Sequence, residues 1–170
     1  MTIRPARPAD AFLLPAIEKS AAQAFTAIES LAWLAAHDVL DVEQHLGFIA
    51  SGLHWVAVDD EDRPQGFVCA SVQDTALYIE ELSVARSHQG QGLGRQLMLA
   101  VEHRARAAGL AALILTTFSD VPWNAPFYRR LGFQCLDEQA LDGFLCEQLR
   151  HERALGLPGR CAMSKALLGR

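Results

Sequence analysis

One stretch constrains this chain more than any other: SVARSHQGQGLGRQLM at 83–98, where three glycines within five residues separate a β-type run from a helical one. Upstream, ALYIEELSV (76–84) reads as a strand. Downstream, Leu93, Leu97, Met98, Val101 and Ala105 recur at helical spacing, and Gly109 stands where a helix C-terminus favours it. Glycines at 90, 92 and 94 let the backbone approach a ligand with no Cβ in the way. The first N–H groups of a helix have no intrahelical partner and carry the positive end of its dipole. A strand, a tight turn and a helix start joined in this way form an anion site, for which phosphate is the usual occupant. Two familiar nucleotide motifs fail here. No GxxxxGK followed by Ser or Thr is present, and Arg95 occupies the third glycine position of GxGxxG.

The remaining pattern predicts a mixed α/β order in one domain, 1–170. The run AALILTTF (111–118) is almost wholly apolar, as in a strand covered on both faces. Further strands are predicted at 2–5, 53–59, 67–73, 133–138 and 160–167, with 53–73 an antiparallel hairpin around DEDRPQG. Helices are predicted over 11–50, as two segments broken near Glu29 and Ser30 with Asp10 as the first N-cap, and again at 123–132 and 139–156. A chain of 170 residues and 18.6 kDa has the size of one domain. Surface scaling has such a chain bury about 69 % of its extended surface, so no disulfide or metal staple is required.

Composition excludes several classes of function. A net charge of −5 argues against a duplex nucleic-acid surface. The opening MTIRPARPAD lacks an apolar h-region, and no apolar run approaches the roughly 18 residues a membrane span needs. The expected setting is therefore cytoplasmic, without a membrane partner. Cys69, Cys135, Cys146 and Cys161 are far apart in sequence and read as reduced core thiols, with nothing adjacent to activate Cys69 or Cys135. His37, His45, His54 and His88 show no metal-ligand spacing with one another or with the cysteines, so no metal is expected. Trp33, Trp55 and Trp123 read as core aromatics or as walls of a substrate pocket.

The hexapeptide Gln89-Gly90-Gln91-Gly92-Leu93-Gly94 fits the pattern Gln/Arg-x-x-Gly-x-Gly/Ala. About thirty residues later, VPWNAPFYRRLGF (121–133) places an Asn and an aromatic-Tyr pair before a Leu-Gly-Phe turn. Together with the opening IRPARPAD, these two signatures resemble the GCN5-related N-acetyltransferase (GNAT) superfamily over 2–137. The resemblance implies a central, mostly antiparallel twisted sheet with helices on both faces. Two splayed parallel strands, 76–84 and 111–118, would form a cleft for acetyl-CoA.

By the same resemblance, Gln89, Gly90, Gln91, Gly92, Leu93 and Gly94 would hold the pyrophosphate, with Arg95 adding charge. The backbone of Leu82, Ser83 and Val84 would pair with the pantetheine arm, and the Leu82 N–H would polarise the thioester. Tyr128, with Phe127 beside it, would reprotonate the departing thiolate, while Asn124 would hold the pantetheine or the helix start. Glu80 and Glu81 are the candidates to take the proton of the attacking ammonium. Strand alternation sends them to opposite faces. Glu80 is favoured if pairing is regular, and Glu81 if a β-bulge intervenes.

The acceptor is expected to be an amine of a small molecule, peptide or protein. A catalytically silent acetyl-CoA-binding module and an enzyme using another acyl-CoA both remain open. The segment 139–159 departs from the short hairpin usual in the family. Its Leu141, Leu145 and Leu149 share a face, which suits an acceptor-site wall, a homodimer contact or simple packing on its own sheet.

Overall fold

A computed structural model describes residues 1–141 and 143–167. Asp142, within the predicted helix, and residues 168–170 of the predicted domain lie outside the described residues. Seven strands hydrogen-bond in the order β1-β2-β3-β4-β5-β7-β6. They are β1 (Thr2–Pro5), β2 (His54–Val58), β3 (Pro64–Gln73), β4 (Ala76–Val84), β5 (Ala112–Phe118), β6 (Gln134–Cys135) and β7 (Arg160–Ala166). The α-helices are α1 (Leu14–Ala22), α2 (Val42–Ala50), α3 (Leu93–Ala107), α4 (Ala125–Arg130) and α5 (Gly143–Ala154). The sheet is mostly antiparallel. Among the described residues the parallel pair is β4 with β5, in register from Ala76 opposite Ala112 to Tyr78 opposite Ile114. Contacts divide the chain into two compact units, 1–71 with 80–101, and 72–79 with 102–170.

In the first unit, Leu14 and Ile17, three residues apart on α1, lie in one apolar cluster with Val56 and Val58 of β2 and Phe67 and Cys69 of β3. The start of α2 is fixed by a reciprocal cap: Asp41 Oδ1 accepts from the Gln44 amide at 2.8 Å, and Gln44 Oε1 accepts from the Asp41 amide at 2.9 Å. Asp10 does not serve as an N-cap. It sits inside a 3₁₀ turn, Pro8–Phe12, where its carboxylate accepts from the Arg7 amide at 2.7 Å and from the Arg4 guanidinium at 2.7 and 3.1 Å. Two plain helices over 11–50 are not observed either. Between α1 and α2 run two 3₁₀ segments, Gln23–Ala27 and Glu29–Ala36, divided at Ile28 in the extended conformation.

The same unit buries a pair of histidines that lie nine positions apart in sequence. His45 Nδ1 and His54 Nε2 are 3.0 Å apart, and both rings pack against Phe67. His45 Nε2 and His54 Nδ1 are buried without a hydrogen-bond partner of normal geometry among the described residues. Burial pushes both rings down to about 4 from 6.5, with His45 further opposing charge on His54. An unfolded histidine keeps its ordinary value, so the unfolded chain takes up more protons than the folded one between these limits. Stability is therefore full above pH 6.5 and is lost as the pH falls toward 4. We expect an acid-side loss on the order of 3 kcal/mol from this pair. Urea midpoints at pH 7.5 and 5 measure it. A His45→Leu/His54→Leu chain with an equally steep pH dependence would refute the assignment.

In the second unit, α5 packs Leu145 and Leu149 against Tyr78 and Ala162, with Leu141, Phe144 and Ile114 at the margin. A polar cluster fastens the same helix. Glu152 accepts from Arg160 at 2.9 and 3.0 Å and from the Thr116 hydroxyl at 2.6 Å. The leucine face of the 139–159 segment is thus spent on its own sheet. The strand predicted over 133–138 shrinks to Gln134–Cys135, paired with Ser164 and Met163 of β7. No helix among the described residues is long and apolar enough to cross a membrane.

Candidate functional site

The glycine-rich turn is braced from inside. Gln89 Nε2 donates to the Val84 carbonyl at 3.0 Å, while its Oε1 accepts from Arg86 at 3.0 Å. Gln91 Nε2 reaches the Ser87 carbonyl at 3.4 Å. Both glutamine side chains therefore hold the loop to itself and to the end of β4, which leaves the backbone as the part of the turn that faces outward. Gly90 and Gly92 adopt φ of +77° and +80°, and a Cβ built on either meets no protein atom within 4 Å. Helix α3 then starts at Leu93, with the Gly92 carbonyl accepting from the Gln96 amide at 3.1 Å. Leu93 is buried, with Leu97, Met98, Val101 and Ala105 following on the inner face. Arg95 is exposed in the first turn of α3. Left-handed glycines followed by a helix start aim consecutive N–H groups at one place, as an anion requires.

Behind the turn, β3 passes very close to β4. A Cβ on Gly66 would lie 3.0 Å from the Ser83 carbonyl oxygen and 3.1 Å from Val84 Cγ2, so any side chain here would force β4 to give by a few tenths of an ångström. Further along β4, Glu80, Glu81 and Leu82 are all half-buried, without the one-in, one-out exposure of a regular amphipathic strand. Glu80 accepts from the Ser71 hydroxyl at 2.6 Å. Burial raises its carboxyl above the ordinary value, against the effect of that bond. Glu81 accepts from the Ser83 hydroxyl two residues on at 2.7 Å, which places those two on one face. Toward Glu81 stands Glu18 of α1. Burial first, and the Glu81 charge second, push Glu18 up to about 8, although the Leu40 amide donates to it at 3.1 Å.

Glu18 and Ser71 are site neighbours that sequence reasoning missed. Ser71 had no signal at all. Glu18 follows buried Ile17 on an amphipathic helix, a position where an acid is ordinary.

In the second unit, Phe127 and Tyr128 lie on α4 and Asn124 immediately precedes it. Asn124 occupies the N-cap position of α4, yet its side chain makes no capping bond, and Oδ1 is buried without a partner among the described residues. The reading of Asn124 as a support of the helix start is therefore corrected. Pro126 in the first turn already removes one N–H that a cap would serve. A buried acceptor left open in this way costs about 1–3 kcal/mol unless something donates to it. Tyr128 is buried, and its ring meets Phe127 and Phe133 edge-on at centroid distances of 5.1 and 5.6 Å.

The other side chains singled out in sequence fall elsewhere. Trp55 is core, whereas Trp33 and Trp123 are partly exposed. His88 pairs with the neighbouring Ser87 hydroxyl at 2.9 Å. Cysteines are not uniformly core thiols, for only Cys69 is buried and Cys135 is exposed.

Comparison with known proteins bears on the same segments. The family model described as the acetyltransferase (GNAT) family matches residues 16–133. Over 96 residues the chain is 31 % identical to the peptidyl-lysine N-acetyltransferase YjaB of Salmonella typhimurium. That alignment covers 56 % of this chain and 59 % of that protein, less than two thirds of its length. The PaiA N-acetyltransferase of Thermoplasma acidophilum, solved in complex with coenzyme A, superposes with a TM-score of 0.70 at 17 % identity, covering 97 % of this chain and 98 % of that one. A nourseothricin acetyltransferase structure gives 0.52 at 30 % identity over 68 % and 65 % of the two chains.

Proposed function

Because this chain belongs to the acetyltransferase (GNAT) family, we propose that it transfers the acetyl group of acetyl-CoA directly to a primary amine of a small molecule, peptide or protein. The observation that carries this reading is the turn itself, where Gly90 and Gly92 at positive φ leave open space on the side a Cβ would fill just before the start of α3. In the second unit, the buried Oδ1 of Asn124 has no partner among the described residues. A pantetheine arm supplies amide N–H groups, and a pyrophosphate supplies acceptors for the N–H groups of the turn. Each of these features, taken by itself, suits one part of acetyl-CoA. A solved coenzyme A complex of a protein with this fold supports the same assignment.

In the proposed reaction the Gly90–Gly94 backbone binds the pyrophosphate, with Arg95 at the start of α3 adding charge. The Leu82–Val84 edge of β4, beyond the last β5 pairing at Tyr78, receives the pantetheine. The amine nitrogen attacks the thioester carbonyl carbon, and the Leu82 N–H stabilises the oxyanion that forms. The C–S bond then breaks, and the Tyr128 hydroxyl returns a proton to the thiolate. An alkyl ammonium must first lose a proton, since its ordinary pKa is about 10.4. Glu80, half-buried and raised by that burial, accepts it, with Glu81 as the alternative base.

Release of free CoA thiol from acetyl-CoA, measured across amino acids, polyamines, aminoglycosides and lysine or N-terminal peptides, tests the activity. No release with any amine would leave a binding module. Glu80→Gln is expected to lower kcat/KM at neutral pH and to recover at high pH, where more amine is already deprotonated. Glu81→Gln should change little. Recovery seen in Glu81→Gln instead would exchange the two roles, and loss without recovery would make Glu80 an amine-binding anion.

A further inference from the structure

We propose that Cys135 and Cys161 form a thiol–disulfide exchange site, in which Cys135 takes a thiol-bearing adduct from a low-molecular-weight disulfide and Cys161 resolves it. Three observations converge on this pair. Cys135 stands opposite Met163 in the β6–β7 ladder, so Cys161, two residues before Met163, shares its face as a diagonal neighbour. The Arg129 guanidinium donates to the Cys135 sulfur at 3.3 Å, placing positive charge against the atom that must turn negative to attack. Exposure separates the two thiols: Cys135 is open to solvent, whereas Cys161 is half-buried. The Cys161 thiol interacts directly with Cys135, and burial first, then that neighbour, pushes it up to about 12. Cys161 thus keeps its proton while the outer sulfur reacts.

The chemistry balances with the small disulfide as oxidant. The Cys135 thiolate attacks one sulfur of RSSR, forming a Cys135–SR bond and releasing RS⁻. The first RS⁻ takes the proton of Cys161 as that sulfur attacks the Cys135 sulfur of the mixed disulfide, so RSH and a second RS⁻ leave. Two protein thiols are oxidised, and one disulfide is reduced to two thiols. Diagonal Cα atoms lie about 7–8 Å apart, at or just beyond the usual limit for a disulfide. Closure therefore requires a small inward movement. Strand β6 can supply it, being two residues long and at the sheet edge.

The test uses the full chain with oxidised glutathione as the probe, read by intact mass and peptide mapping. The expected product is a 135–161 disulfide with loss of two titratable thiols. Cys161→Ser should halt with one glutathione on Cys135, and Cys135→Ser should lose both products. Arg129→Ala should slow adduct formation several-fold. Glutathione found on Cys146 in preference to Cys135 would overturn the proposal. So would a wild-type chain that holds glutathione on Cys135 and never closes, or one whose products are unchanged by Cys135→Ser.

Discussion

Tyr128→Phe is expected to lower kcat by about 10²–10⁴-fold, the usual contribution of a positioned acid or base. The substitution is well suited to this residue. Its ring is held edge-on by Phe127 and Phe133, and phenylalanine keeps both contacts and the volume. Backbone bonds from the Leu131 and Phe133 amides to the Tyr128 carbonyl do not depend on the hydroxyl. Affinity for acetyl-CoA should therefore hold, and the loss should fall on turnover alone. Steady-state thiol release with calorimetric CoA binding separates the two. An unchanged kcat would return Tyr128 to a packing role.

Gly92→Val should weaken CoA binding by about ten- to a hundredfold, the equivalent of one or two lost charge-assisted hydrogen bonds. Valine is β-branched, and at φ +80° it strains the turn itself by about 1–2 kcal/mol. A Cβ at this position would meet no protein atom within 4 Å. A loss of affinity beyond that strain is therefore assigned to the ligand it displaces. Calorimetry against CoA, with a urea titration to measure the strain, distinguishes a blocked site from a damaged fold. Full affinity in the valine protein would remove the turn from the CoA site.

Much of this was legible because periodicity and turn chemistry agreed. The stripe from Leu93 to Ala105 is buried throughout, and 76–84 and 2–5 are strands over the predicted bounds. The turn could be read because its spelling needs glycine where φ is positive. Residues 23–36 could not, since alanine- and leucine-rich sequence suits α and 3₁₀ turns alike and nothing in it caps. Asn124 misled for a related reason: its residue type is a preferred cap, and only its backbone, at φ −108° and ψ −109°, shows that it does not cap. The pairs His45–His54 and Cys135–Cys161 depend on which strands and helices meet, which spacing along a chain does not encode.

The Gln89 amide that ties the turn to the Val84 carbonyl has a consequence for which molecules the chain accepts. It makes strand end and turn one rigid gauge, so on the proposed reading a ligand is measured by the distance from its thioester to its phosphates. An acyl-pantetheine without a nucleotide would engage the strand and leave the turn empty. An arm ending in a single phosphodiester, as on an acyl carrier protein, would reach the gauge but fill only part of it. Shortening the amide, as in Gln89→Asn, would let the two marks drift apart, and discrimination among acyl donors should relax before affinity for acetyl-CoA does.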